Sequence, residues 1–201
     1  EHTALGVPFP GTVERVDRME EELAILRGLW DEPDGWSFEG EHYQVENALF
    51  RPRGPRPNLI VGGVGRPRSV RLGAQYADEY NISSSNPAEV REIMGRLDAA
   101  CESLGRDPKS LKRSVMAGVL VGRDEAEVAE RRARQVAIFG GDVGSAEEWL
   151  EARKDRWILG TPDDARRMIA EYEATGADRL LFQDFLPQDL DHIAVMGELI
   201  D

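Results

Sequence analysis

Residues 58–81 read NLIVGGVGRPRSVRLGAQYADEYN, and this stretch sets the fold class. Its opening run, 58–61, is short, apolar and rich in β-formers, and proline and glycine bound it. Such a run is typical of a strand that is buried on both faces. A helix is predicted over 67–77 and a second strand over 79–83. A strand, a helix and a strand in succession indicate a parallel sheet with a right-handed crossover.

The same alternation continues along the chain. Hydrophobic periodicity and capping residues predict a first helix over 12–30, a short hairpin over 36–45, two further strands over 113–122 and 179–183, and further helices over 86–104, 124–138, 161–175 and 188–200. Thr12 is the expected N-cap of the first helix, and the last helix is expected to carry Leu190, Ile193, Gly197 and Ile200 on one side. Residues 139–160 receive no assignment. Four strand–helix units fit an open sheet or about half of an eight-stranded barrel, which needs ~250 residues.

Composition narrows the function classes. The 201 residues hold 25 Lys and Arg against 38 Asp and Glu, a net charge of −13, and such a surface repels the phosphates of nucleic acids. No apolar run approaches the ~20 residues that cross a bilayer, and no signal peptide precedes the first helix. The single cysteine, Cys101, fits a reducing compartment, so a cytoplasmic protein without membrane or nucleic-acid partners is predicted. Because the chain begins at Glu1, we expect it to be a fragment.

The clearest local signal for a ligand is the glycine-rich segment between the first buried strand and its helix. It consists of Gly62, Gly63, Val64, Gly65, Arg66 and Arg68. Glycine lets a ligand approach the backbone, while the helix that follows points free N–H groups and its positive end at the segment. A phosphate group fits this chemistry; the alternative is a tight turn with solvated arginines. Neither a dinucleotide-binding fingerprint nor a P-loop matches, since Arg68 stands where the former needs glycine.

The histidines and the cysteine give little evidence of a metal site or of a catalytic nucleophile. The three histidines, His2, His42 and His192, are far apart, so no metal site is predicted. We interpret His42 and His192 as ordinary, partly exposed histidines. Cys101 lies on an apolar helix stripe, which favours packing over nucleophilic chemistry.

Polar residues at strand ends and on the first helix are weaker candidates. Asn81, Ser83 and Gln183 lie near the carboxyl ends of parallel strands, where ligands gather in this class of fold. They are either ligand contacts or simple strand-end caps. Glu20–Glu22 is interpreted as a solvated helix face.

The stretch Leu59–Asn81 resembles the luciferase-like oxidoreductases. Their usual pattern is an apolar strand, Gly-Gly-x-Gly, and then Leu-Arg-Leu-Ala-x-x-Tyr-Ala-Asp-x-Trp-Asn. Four other segments fit the same family: Glu1–Glu21, Phe38–Tyr43, Gly105–Pro108 and Leu159–Pro162. Gly73 and Tyr80 depart from the pattern, since they stand where Ala and Trp are usual.

The resemblance implies a (β/α)8 barrel, of which residues 1–201 form a single domain that lacks its N-terminal half and keeps strands five to eight. It implies hydride transfer between the deazaflavin coenzyme F420 and a small organic substrate, in a homodimer. The glycine-rich segment would then hold the cofactor phosphate. In this family the catalytic His or Asp lies on the first four strands, so no catalytic residue is assigned.

Three alternatives stay open from the sequence. The first is an FMN-dependent two-component monooxygenase on the same fold. The second is a non-catalytic truncated barrel that binds a flavin or a protein partner. The third is an open α/β domain that binds a phosphate-bearing ligand.

Overall fold

A computed structural model describes residues 2–139, 148 and 151–200. The helices are α1 (Thr12–Asp31), α2 (Pro67–Tyr76), α3 (Pro87–Ser103), α4 (Glu125–Phe139), α5 (Pro162–Glu173) and α6 (Leu190–Gly197). The strands are β1 (Trp36–Glu39), β2 (Gln44–Ala48), β3 (Ile60–Gly63), β4 (Glu79–Ser83), β5 (Lys112–Val121), β6 (Ile158–Gly160) and β7 (Arg179–Asp184). A search of the described helices found none with the length and apolar character to span a bilayer.

The main sheet is parallel throughout. β3 pairs with β4, β4 with the first half of β5, and β7 with residues 114–119 of β5. The short β6 pairs with residues 119–121. Because Val119 has partners in both β6 and β7, these two strands lie on opposite sides of β5. β1 and β2 form a separate antiparallel hairpin.

The helices cover one face of the sheet, and side chains alternate between that face and the other. Val61, Tyr80, Ile82 and Val115 belong to the buried core that packs against the helices. The opposite face is partly open, since 49% of Ile60 and 37% of Leu181 is exposed. A parallel sheet covered by helices on one face, with a second face that is only half-covered, is the architecture of one half of a (β/α)8 barrel.

Helix starts follow the predicted capping residues with one exception. The Asn86 side chain accepts from the Glu89 backbone N–H at 3.0 Å, and the Glu89 carboxylate accepts from the Asn86 N–H at 2.9 Å. The Thr161 N–H donates to Asp164 in the same way at 2.9 Å. These capping boxes satisfy N–H groups that a helix start leaves free. The prediction of Thr12 as an N-cap is wrong by one residue, because Gly11 occupies that position.

One strand prediction needs correction, and one strand was not predicted. The first buried strand runs over Ile60–Gly63 rather than 58–61, so Gly62 and Gly63 lie within β3 and the turn proper is 64–66. β6 was not predicted, since three residues are too few to show an alternating pattern. It falls in the unassigned segment 139–160, of which residues 140–147, 149 and 150 lie outside the described part of the chain.

The buried side of the last helix differs from the prediction. The side expected to carry the apolar stripe held Leu190, Ile193, Gly197 and Ile200, and all four are exposed; Leu190, Ile193 and Ile200 are 76%, 42% and 73% exposed. The structure instead buries His192, Val195, Met196 and Leu199. The segment is apolar on both sides, so periodicity alone could not choose between the two stripes.

Glu20–Glu22 is not a solvated helix face. The Glu21 carboxylate accepts hydrogen bonds from the backbone N–H groups of Glu41, His42 and Tyr43 at 2.8–3.2 Å. Desolvation raises the pKa of Glu21, but these donors outweigh it, and the pKa is lowered. The three glutamates therefore fasten the hairpin and α2 to α1.

Candidate cofactor-binding site

The turn between β3 and α2 exposes a group of unpaired backbone donors. The first hydrogen bond of α2 joins the Val70 N–H to the Arg66 carbonyl at 3.0 Å, and no side chain caps the helix. Within the described part of the chain, the following N–H groups have no acceptor: Val64, Gly65, Arg66, Arg68 and Ser69. Free N–H groups at a helix start, together with the positive end of its dipole, favour an anion. This arrangement fits a phosphate group.

The glycines of this segment have different reasons to be glycine. Gly65 has φ +70° and a Cβ there would lie 2.4 Å from Ile93, so the backbone and the packing both require glycine. A Cβ on Gly63 would lie 2.8 Å from the Tyr80 hydroxyl. On Gly62 the nearest atom would be 3.7 Å away, an ordinary contact. Packing therefore leaves room for a side chain at Gly62, which is exposed on the open face of the sheet.

The two arginines of the segment are placed differently. The Arg68 guanidinium bonds to Asp17 at 2.6 Å and lies 3.5 Å from Glu20, so α1 carboxylates already pair its charge. Arg66 is exposed, and its side chain forms no ion pair or hydrogen bond with residues that the structure describes. Of the two predicted cations, Arg66 is the one available to a ligand.

The strand-end candidates lie on the same open face, but with different surroundings. Asn81 is half-buried and its Nδ2 donates to the Ser114 Oγ at 2.8 Å. Ser83 is half-buried and Gln183 is exposed. β3, β4, β5 and β7 are parallel, so their carboxyl ends meet at one edge. Asn81 is in direct register with Gly62.

An aromatic pair lies at this edge that the sequence did not predict. The Trp157 ring lies over Gly118, where a Cβ would be 2.2 Å from it. It stacks on Phe185 with ring centroids 5.2 Å apart and planes 5° apart. Trp157 falls in the segment without assignment, so no periodicity marked it. Gly118 pairs with Gln183, so the two rings stand beside the strand-end polar residues.

His192 is a structural residue, and its predicted partial exposure is wrong. It is fully buried; its Nε2 accepts from the Val121 N–H at 3.2 Å and its Nδ1 lies 3.0 Å from Asp184. The acceptor role at Nε2 places the proton on Nδ1. Burial lowers the pKa of His192, which outweighs the opposing effect of the Asp184 carboxylate. His42 is half-buried, as predicted.

The remaining reactive side chains are Cys101 and the residue types that bind metals. Cys101 is fully buried in the core, and burial raises the pKa of its thiol, so the predicted packing role is confirmed. No group of three metal-ligating side chains was found within residues 2–139, 148 and 151–200.

Comparison with known proteins extends these observations. The sequence model of the family described as luciferase-like monooxygenase matches residues 1–179. A phthiodiolone/phenolphthiodiolone dimycocerosates ketoreductase of Mycobacterium kansasii is 30% identical over 187 residues, which are 90% of this chain and 46% of the relative. An F420-dependent glucose-6-phosphate dehydrogenase of Kineococcus radiotolerans is 28% identical over 196 residues, 90% of this chain and 58% of the relative.

A solved structure shows the same fold. An F420-dependent secondary alcohol dehydrogenase, in complex with an F420–acetone adduct, superposes with a TM-score of 0.76 at 17% identity. The superposition covers 100% of this chain and 66% of that one. The chain therefore spans about half the length of the curated relatives it matches, and its fold is a partial (β/α)8 barrel of the expected type.

The family match covers the glycine-rich segment, the capped α3 and most of the sheet, and it agrees with the motif resemblance at 59–81. Members of this family are oxidoreductases and monooxygenases. The chain belongs to the luciferase-like monooxygenase family.

Proposed function

We propose that this chain is part of an oxidoreductase that transfers hydride between the deazaflavin coenzyme F420 and a small organic substrate. The observation that carries the proposal is the start of α2, which no side chain caps. Among the residues that the structure describes, five backbone N–H groups of this turn have no acceptor, and the neighbouring Gly62 has room for a side chain. A relative and a solved structure whose names include F420 support this cofactor.

The residues present fit a phosphate-bearing cofactor. Gly62, Gly63, Val64, Gly65 and Arg66 would surround its phosphate, with Arg68 held nearby by Asp17. The bound cofactor would supply the hydride chemistry. The protein's part on this half is to bind the phosphate, orient the ring and exclude water. The stacked rings of Trp157 and Phe185 form an apolar wall that would help to exclude water.

The test is a spectral titration of the protein at its natural length with F420 and with FMN. We expect F420 to bind, and Gly62→Val to weaken binding by roughly tenfold or more, because the added side chain fills the approach to the turn. Gly62 is the better probe than Gly63, where a side chain would first meet the Tyr80 hydroxyl. Gly95→Ala is the matched control, since Gly95 has open space around it on α3. Equal affinity of all three proteins would exclude the site.

A second candidate is an FMN-dependent two-component monooxygenase. The family's description as luciferase-like monooxygenase favours it, and the β3–α2 turn would bind the FMN phosphate equally well. In the same titration, tight binding of FMN and none of F420 would select this function.

The catalytic side chain is proposed to lie outside these 201 residues, on the barrel strands that the resemblance places earlier. Cofactor binding without turnover by the natural protein would instead select the non-catalytic, partner-binding alternative. A homodimer is part of the proposal, and analytical ultracentrifugation of the natural protein would test it.

A further inference from the structure

A row of hydrogen-bonded polar side chains crosses the open face of the sheet. Ser114 on β5 donates from its Oγ to the Glu79 Oε1 at 2.5 Å, and the Asn81 Nδ2 donates to the same Oγ at 2.8 Å. Arg179 on β7 forms an ion pair with the other oxygen of Glu79. We call Glu79, Ser114 and Asn81 the polar chain.

The polar chain has a fixed direction. A carboxylate accepts hydrogen bonds and donates none, so the Ser114 hydroxyl must give its proton to Glu79. The Ser114 oxygen can then only accept from Asn81, which turns the Asn81 NH2 group toward Ser114. The amide orientation follows from the network and does not depend on telling nitrogen from oxygen.

The consequence is an acceptor oxygen that receives no hydrogen bond from a described residue. The Asn81 Oδ1 faces away from Ser114, and no donor to it is found among the residues that the structure describes. Gly62 lies opposite Asn81 on β3 and places no side chain between them. The free oxygen therefore lies one strand away from the segment proposed to hold the cofactor phosphate.

Stability alone gives no reason for the charged end of this polar chain. The Glu79 side chain is 1% exposed, while that of Arg179 is 51% exposed. Removing a carboxylate from water is costly, and apolar replacements of such pairs are often as stable or more stable. A carboxylate at this position does, however, set the direction of every hydrogen bond that follows it.

We propose that Glu79 and Ser114 are positioning residues that hold Asn81 with its Oδ1 toward the cofactor, where it accepts a hydrogen bond from a ring N–H. This inference rests on the proposed function and assigns its ring contact. A cofactor hydroxyl can donate or accept, so it would bind Asn81 in either orientation of the amide. An N–H can only donate, and the pyrimidine rings of flavins and deazaflavins both carry one.

The variant Glu79→Gln reverses the polar chain at nearly constant shape. Arg179 keeps the amide oxygen as its acceptor, so the amide NH2 donates to Ser114, and Ser114 donates to the Asn81 Oδ1. Asn81 then presents NH2 to the cofactor N–H, donor against donor. We expect the Kd for F420, or for FMN if that is the cofactor, to rise roughly tenfold.

A second change should repair the first. In the double variant E79Q/N81D, Ser114 donates to one oxygen of the new carboxylate, and the other oxygen accepts from the cofactor N–H. We expect the Kd to return to within about threefold of the wild-type value. A purely structural role for Glu79 gives no reason for rescue by a change at position 81, so absence of rescue would overturn the proposal.

A measurement without cofactor tests the direction of the polar chain separately from the contact between Asn81 and the cofactor ring. In the free protein, NMR should show a nuclear Overhauser effect between the Asn81 NH2 and the Ser114 β-protons, and E79Q should abolish it. Persistence of that effect in E79Q would overturn the polar chain whether or not a cofactor binds. If G62V weakens binding while E79Q leaves the Kd unchanged, the ring contact is wrong and the phosphate site stands. If wild type binds neither cofactor, the proposed function is wrong.

Discussion

The two departures from the family pattern compensate each other. Gly73 and Tyr80 stand where Ala and Trp are usual, and a Cβ on Gly73 would lie 2.3 Å from the Tyr80 ring. The glycine makes the space that the tyrosine ring occupies, and the Tyr80 hydroxyl reaches Ser69 at 2.9 Å. The Tyr80 side chain thus packs against α2 at Gly73 and hydrogen-bonds to its first turn at Ser69.

Gly73→Ala should destabilise the protein although alanine is the better helix former. The added methyl overlaps the Tyr80 ring, and overpacking of a core typically costs about 1–3 kcal/mol. Urea denaturation would measure the loss. Gly95→Ala on α3 is the control: it has open space, so it should stabilise by about 0.5–1 kcal/mol. If both changes stabilise, the contact with Tyr80 is not tight.

His192 should make the fold sensitive to mild acid. Burial lowers its pKa in the folded state below the usual value near 6.5. The unfolded chain therefore takes up the proton first as the pH falls, and the free energy of unfolding decreases from about pH 6.5 downward until the folded pKa is reached. Above pH 6.5 both states are neutral at this position and its contribution is constant.

Urea midpoints at pH 7.5, 6.5 and 5.5 would measure this dependence. His192→Gln should flatten the curve between pH 6.5 and 5.5, at the cost of a lower stability at pH 7.5, since the fit to the Val121 N–H is lost. An unchanged slope in His192→Gln would place the sensitivity elsewhere.

Asp78 joins three segments of the chain just before β4. Both Arg56 NH groups donate to it at 2.8 and 2.9 Å, the Leu59 N–H donates at 2.8 Å, and Arg27 of α1 lies 3.3 Å away. Desolvation raises the pKa of Asp78, but Arg56 and the other donors outweigh it and lower the pKa to about 2. The aspartate of the family pattern is therefore a structural clamp.

Asp78→Asn should cost roughly 2 kcal/mol at neutral pH, because one charged acceptor serves several donors. In the wild type this contribution is present above about pH 4 and lost as the pH falls toward 2. Thermal unfolding at pH 7 and pH 3 would show both effects. Asp163→Asn, at a side chain that is 87% exposed, should change stability by less than about 0.5 kcal/mol. Equal effects of the two substitutions would refute the clamp.

Hydrophobic spacing and capping residues predict some of these helices and strands, while others depend on neighbours in the fold. Long periodic helices and the alternating run of β5 follow from hydrophobic spacing, and capping residues such as Asn86 fixed a boundary to within a residue. The choice between the two apolar sides of α6 depends on which neighbours are present, and β6 is too short to show a period. Within the site, the glycines were recognisable by type. The pairing of Arg68 with Asp17 and the direction of the polar chain needed distances across the fold.

The four longer strands of the main sheet leave two edges without a strand partner among the described residues. These strands lie in the order β3, β4, β5, β7. Among the described strands, β3 pairs only with β4, and β7 pairs only with β5, so the outer side of each is open. Unpaired parallel edges attract further strands. Strands that lie parallel to β3 and β7 would close the barrel and cover the open face that carries Asn81.

Two measurements test this closure together. The intact mass of the protein from its source cells should exceed 22.4 kDa, since the relatives it matches are about twice as long. Hydrogen exchange should then protect the amides of β3 and β7 as well as those of β4 and β5, because all four strands are paired on both sides. In the isolated 201-residue chain only β4 and β5 should be strongly protected. A natural mass of 22.4 kDa with protected edges would instead mean that two copies close the barrel. An unprotected edge at that mass would favour the non-catalytic alternative.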